Sequence, residues 1–122
     1  ENLVIQNRSI LYSLLHLHPA EVLCDGPYFQ KATARRSGCQ IDYMIQTKYN
    51  TLYVCEIKFS RHPIQRNVIQ DVERKIASLD KRAGMSIRPV LIHVNGVEEG
   101  ALAEDFFAEI IDFGQMLAQN HH

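Results

Sequence analysis

The chain has 122 residues, 46% hydrophobic and 22% charged, with a formal net charge of −1. That size suits one domain around a single modest core, expected here over residues 1–120. No apolar run approaches the roughly 20 residues of a transmembrane helix, no signal-peptide pattern opens the chain, and the near-neutral balance excludes a strongly basic nucleic-acid coat.

Apolar residues at Leu3, Val4, Leu11, Leu14 and Leu15 predict a helix over 1–18, ended by Pro19. The chain starts at Glu1 rather than Met, inside this pattern, as a fragment of a longer chain would; residues 121–122 read as a tag remnant. Residues 21–30 predict a weak strand with a turn at Asp25-Gly26-Pro27, and Lys31 to Gly38 a basic loop. Two hairpin strands follow at about 39–47 and 51–60. Pro63 opens a helix whose apolar face is Ile64, Val68, Ile69, Val72, Ile76 and Leu79, with Gly84 as its stop. Residues 87–94 are nearly all apolar, as in a strand covered on both faces, which requires Pro89 at its start or at a bulge. A loop over 96–100, a last strand over 105–112 and a short helix over 115–119 complete the order. A strand–helix–strand crossover beside an antiparallel hairpin gives an α/β sandwich: a mixed sheet of about five strands flanked by helices.

The hairpin carries the chemistry. Side chains alternate across a strand, so Tyr53, Cys55, Ile57 and Phe59 share one face and Leu52, Val54, Glu56, Lys58 and Ser60 the other. On the first arm Ile41, Tyr43 and Ile45 oppose Gln40, Asp42, Met44 and Gln46. A two-residue loop would set these faces out of phase. A three-residue loop, Lys48-Tyr49-Asn50, pairs Thr47 with Thr51 and Asp42 with Glu56, and puts Asn50 where such loops need a left-handed residue. Opposed carboxylates with Cβ atoms about 5 Å apart repel unless a cation lies between them. Magnesium, or manganese in its place, takes oxygen ligands and keeps several waters. Asp42, Glu56 and the Ile57 carbonyl could supply oxygens, one bound water would become the nucleophile, and Lys58 would orient it or neutralise charge growing on a phosphate. The plainer alternative is an exposed sheet face with an ordinary Glu–Lys pair.

Over these residues, and in element order across nearly the whole chain, the sequence resembles the PD-(D/E)XK nuclease superfamily, with its restriction-endonuclease-like fold. More narrowly, GCQIDYMI, the CEIKFS run and the following helix resemble the nuclease-like C-terminal domain of a family of prokaryotic AAA-type ATPases. The resemblance implies a magnesium- or manganese-dependent endonuclease acting on DNA, with Asp42, Glu56 and Lys58 at the metal-binding and catalytic positions. It adds Glu1 as the first-helix glutamate that often joins the metal ligands, and an ATPase module in the same parent chain. Ile41 stands where the family has proline, and no Walker motif is present. The alternative is a catalytically silent nuclease-fold module for nucleic-acid binding or protein assembly, and assembly into a homo-oligomer stays open.

Charge distribution agrees with a phosphate partner: residues 31–90 hold 12 Lys+Arg against 5 Asp+Glu. Gln40, Lys31, Arg35, Arg36 and Arg61 are candidate substrate contacts, with solvated surface charge as the competing reading. Gln70 and Lys75 could reach the site from the crossover helix, if they are not simply on its exposed face. Tyr28 and Phe29 could stack on bases, core packing being the plainer role. Cys24, Cys39 and Cys55 lack CxxC spacing and read as small core residues of a cytoplasmic protein; a zinc site with His62 is the weaker option. His16 and His18 point to different sides of a helix end and read as structural, as does His93 in its apolar strand.

Overall fold

A computed structural model describes residues 2–59, 62–80, 84–94, 96–97 and 105–114. Two short helices, α1 (Asn2–Gln6) and α2 (Arg8–Leu14), precede a 3-10 turn at Pro19–Glu21. Strands β1 (Val22–Gln30), β2 (Cys39–Thr47) and β3 (Thr51–Lys58) form an antiparallel meander. Helix α3 (Asn67–Ser78) crosses over to β4 (Ser86–His93), parallel to β3, and β5 (Glu109–Asp112) lies parallel beyond it. The sheet order is therefore β1-β2-β3-β4-β5, a mixed five-stranded α/β arrangement flanked by helices, as the element order predicted. Among the described residues no helix is long and apolar enough to cross a membrane.

Each sheet face has its own core. Val4, Leu11, Tyr12, Leu15 and Leu17 cover one face, against Tyr43, Ile45, Cys55, Ile57, Val90 and Ile92. On the other face α3 sets Val68, Ile69 and Val72 against Leu91, and Leu79 against Ile41, Leu52 and Val54. Burial on both faces explains why β4 reads as a nearly continuous apolar run. The hairpin turn is as expected: Tyr43 pairs with Cys55 and Gln46 with Leu52, and Asn50 is left-handed at φ 56°.

The first helix is shorter than predicted. It breaks at Asn7 and ends at Leu14, because His16 takes a left-handed conformation (φ 58°). The Leu17 amide then donates to the Tyr12 carbonyl (2.8 Å) and the His16 amide to that of Ser13 (3.1 Å), closing the helix before Pro19. His18 accepts from the Ala20 amide through Nδ1 (3.1 Å), so its ring caps the 3-10 turn.

Asp25-Gly26-Pro27 makes no turn; it runs through β1. Gly26 (φ 139°) pairs with Met44 and Tyr28 with Ile41, so Pro27 alone opposes Asp42 and Tyr43, a bulge in β2. Pro27 is tolerated because β1 is an edge strand. The bulge overturns one facing: Ile41 packs on the α3 side with Leu52 and Val54, away from Tyr43 and Ile45.

Helix α3 begins at Asn67 rather than beside Pro63, because Ile64 is held in a bridge with Val97, its amide donating to the Gly96 carbonyl (3.0 Å). Pro89 is neither first in β4 nor at a bulge. Pairing with β5 starts only at Val90, so the missing N–H falls on a still-open side, and the Pro89 carbonyl accepts from Ala108 there (2.8 Å). Strand β5 starts at Glu109, later than predicted: Phe107 packs into the α3-side core, and Phe106 stands edge-on to it. The predicted helix over 115–119 lies outside the described residues.

Candidate active site

The site forms where β2 and β3 part. Their ladder ends at Tyr43 and Cys55, and Asp42 and Glu56 are the next residue on each arm. In a continuing ladder the Ile57 amide would face Ile41; with β2 bulged at Asp42, the Asp42 Oδ2 accepts that amide instead (2.8 Å). The divergence and the turn of the half-buried Asp42 carboxylate to the Ile57 amide thus both lie at the bulge opposite Pro27.

Glu56 is 2% exposed. Its Oε1 accepts from Lys75 Nζ at 2.8 Å. Lys58 Nζ stands 3.8 Å from Oε2, near enough for charge attraction but beyond a hydrogen bond. Oε2 is accordingly a buried carboxylate oxygen with no hydrogen-bond donor among the described residues. Burial raises the Glu56 pKa, the ammonium of Lys75 opposes this, and the nearby Asp42 charge adds to it. An orphaned carboxylate oxygen beside a second carboxylate is a donor set that suits a hard divalent cation. The site residues present fit such an ion.

A cleft of about 460 Å³ opens beside Asp42, lined by Ser37, Gly38, Gln40, Arg74, Lys75 and Ser78 among others. The structure thus brings Asp42, Glu56, Lys58 and Ile57 together and sets Gln40 at the rim. Lys31 and Arg35 lie exposed on the loop before β2. Arg36 is occupied elsewhere: its guanidinium donates to the Leu79 carbonyl (3.2 Å) and lies 3.6 Å from Asp80. Glu1 and Arg61 are outside the described residues. Gln70 does not reach the cleft; it sits with Arg66, Asn67 and Glu73 on a separate concavity of α3.

Lys75 does reach the site, and the signal for it was in the sequence: it is three residues after Val72 and four before Leu79, inside the apolar stripe. Gln30 and Arg74 were missed. The buried Gln30 amide donates to Ser37 (3.0 Å) and Ser78 (2.6 Å) carbonyls and accepts from the Asp80 amide (2.8 Å), tying α3 to the hairpin at the cleft. On the opposite face Asp25 accepts the hydroxyls of Tyr12 and Tyr43, with Arg8 at 3.8 Å. Burial works against ionised Asp25, yet those two hydroxyls and Arg8 prevail and lower its pKa, while Tyr12 is pushed up to about 12.

The zinc option falls away: among the described residues no three His, Cys, Asp or Glu side chains gather around a possible ion. Cys24 is exposed, not core, with its thiol donating to Gln46 Oε1 (3.4 Å). Phe29 is not core either, at 72% exposed, because it lies on the edge strand; Tyr28 packs partly into the α3-side core. His93 is buried and satisfied, its Nδ1 accepting from the Gly96 amide (3.1 Å).

No family model matches the chain, and no curated protein matches it significantly. A solved structure described as a repair endonuclease from Pyrococcus abyssi superposes with a TM-score of 0.57 at 21% identity. The match covers 91% of this chain but only 43% of that one. At that identity the likeness is one of fold: the chain carries an α/β sandwich of the kind that makes up part of an endonuclease.

Proposed function

We propose that this domain is a metal-dependent nuclease of the PD-(D/E)XK type, hydrolysing phosphodiester bonds in DNA, and the C-terminal part of an AAA-type ATPase. The observation that carries the reading is the Glu56 carboxylate, buried with Oε2 lacking a donor and with Asp42 beside it. Leaving such an oxygen unpaired costs about 1–3 kcal/mol, which a bound cation would relieve. Asp42, Glu56 and the Ile57 carbonyl would hold Mg2+ or Mn2+. A strand residue directs its N–H and C=O to the same side, and the Ile57 N–H already points to Asp42. Bound there, the ion would acidify a water and offset charge on the phosphate.

The chain's own groups do the rest. Lys58, against Glu56 and partly exposed, orients the attacking water or meets the charge developing on phosphate oxygens. Gln40 at the cleft rim positions the phosphate. Lys31, Arg35 and Arg61 contact neighbouring phosphates, and Arg36 joins them if it leaves Leu79 and Asp80. Glu1 completes the acidic set, as the family resemblance implies. The longer endonuclease, of which this chain matches 43%, agrees with a domain working inside a larger protein.

One observation favours a silent, DNA-binding module instead: Lys75 already neutralises Glu56 at 2.8 Å. Incubation with plasmid, branched and single-stranded DNA in Mg2+ or Mn2+, beside Lys58→Ala and Asp42→Ala, separates the readings. Cleavage that both variants lose supports the nuclease. Equal cleavage by all three proteins is contamination and removes the support, and binding without cleavage leaves the silent module.

A further inference from the structure

We propose that Lys75 is the resident counter-ion of the metal site: its ammonium stands on Glu56 in place of the divalent ion, yields to it, and then serves the cleft as an anion contact. This rests on the reading of Asp42 and Glu56 as metal ligands. Lys75 Nζ bonds Glu56 Oε1 at 2.8 Å, so the buried carboxylate is half-satisfied by a cation that is not a metal. Glu56 does not itself line the cleft, whereas Lys75 does, beside Asp42, Gln40 and Arg74. An ion entering from the cleft therefore meets Lys75 before Glu56. An ammonium and a divalent ion on one carboxylate repel by far more than thermal energy unless well solvated.

Lys75 also reaches solvent. Its side chain is 28% exposed, and Glu56 is the one ion-pair partner found for it among the described residues. The four-carbon stem can carry its charge from the pair to the water of the cleft. Arg74, on the same wall, keeps its contact with Asp71 at 2.9 Å. Lys75 released from Glu56 would add positive charge to the cleft beside Asp42, where an anion would lie. Metal loading and phosphate binding would then assist each other, and such coupling is reciprocal.

Manganese affinity, read from the electron-spin-resonance signal of the free ion, tests this in the parent protein, Lys75→Met, Lys75→Gln and Lys75→Arg, with Asp42→Asn as the site control. Removing the charge is expected to tighten Mn2+ binding roughly tenfold. Lys75→Gln, which keeps a donor to Glu56, follows Lys75→Met, and Lys75→Arg stays as weak as the parent. A short labelled DNA duplex in Ca2+ gives the second readout: the ion tightens duplex binding by the parent and does so much less for Lys75→Met. Parental Mn2+ binding that Asp42→Asn loses and neither neutral variant tightens would overturn the role of Lys75 while leaving the metal site standing. No binding above Asp42→Asn in any protein would overturn both.

Discussion

Replacing Glu56 with glutamine removes a charge that the fold holds almost out of water. The folded state raises the Glu56 pKa, through burial first and the Asp42 charge after Lys75's opposing effect. The folded protein therefore keeps this proton to higher pH than the unfolded chain does. Below the ordinary glutamate value both states are protonated and the site costs nothing. The cost grows as pH rises through the folded-state value and is constant above it. The donorless Oε2 puts that cost at about 1–3 kcal/mol. Glutamine keeps an oxygen for Lys75 and replaces the donorless, charged Oε2 with an uncharged amide. Without metal, Glu56→Gln should gain about 1–2 kcal/mol over the parent at pH 8, roughly 3–8 °C in Tm, and little at pH 4. Thermal denaturation by circular dichroism in EDTA at the two pH values reads both numbers. A variant less stable than its parent at pH 8, or a difference unchanged by pH, would refute the electrostatic reasoning.

Three further outcomes follow from other contacts. Adding 10 mM Mg2+ to a site of roughly millimolar affinity should stabilise the parent by about 1.4 kcal/mol and leave Asp42→Asn unmoved, as urea titration would show. Gln30→Ala removes two hydrogen bonds at the end of α3, together with one to the Ser37 carbonyl and a long one from the Tyr28 hydroxyl, and should cost about 2–3 kcal/mol in the same assay. Tyr43→Phe should cost about 1–2 kcal/mol near pH 7. Because the Asp25 pKa is lowered, the stability it contributes is present above the ordinary aspartate value and fades as pH falls through the folded value. The Tyr43→Phe deficit should therefore shrink as pH falls below the ordinary aspartate value, which a pH series of unfolding curves checks.

The hairpin was legible because two constraints met in it. Apolar faces on both arms demanded one phase, and Asn50 supplied the left-handed residue that a three-residue loop needs. The crossover order followed from periodicity and loop length. What escaped was set by partners distant in the chain. Nothing local to Ile41 announces that Pro27, on the neighbouring strand, forces a bulge and turns Ile41 to the opposite face. Ile64 fitted the helical stripe and was taken out of it by a bridge to Val97. The polar ties of Gln30 to Asp80 and of Asp25 to Tyr12 and Tyr43 join residues 13 to 50 positions apart, beyond the reach of any pattern. At the candidate site the charges were visible but their burial was not: an exposed sheet face stood as the alternative for Glu56, and α3 covers that face.

Anomalous diffraction from crystals of the domain grown with Mn2+ tests the central claim most directly. The account predicts one strong manganese peak within about 2.5 Å of an oxygen from each of Asp42 and Glu56. Manganese bound elsewhere at full occupancy, with the Lys75–Glu56 pair intact and nothing beside Asp42, would contradict it.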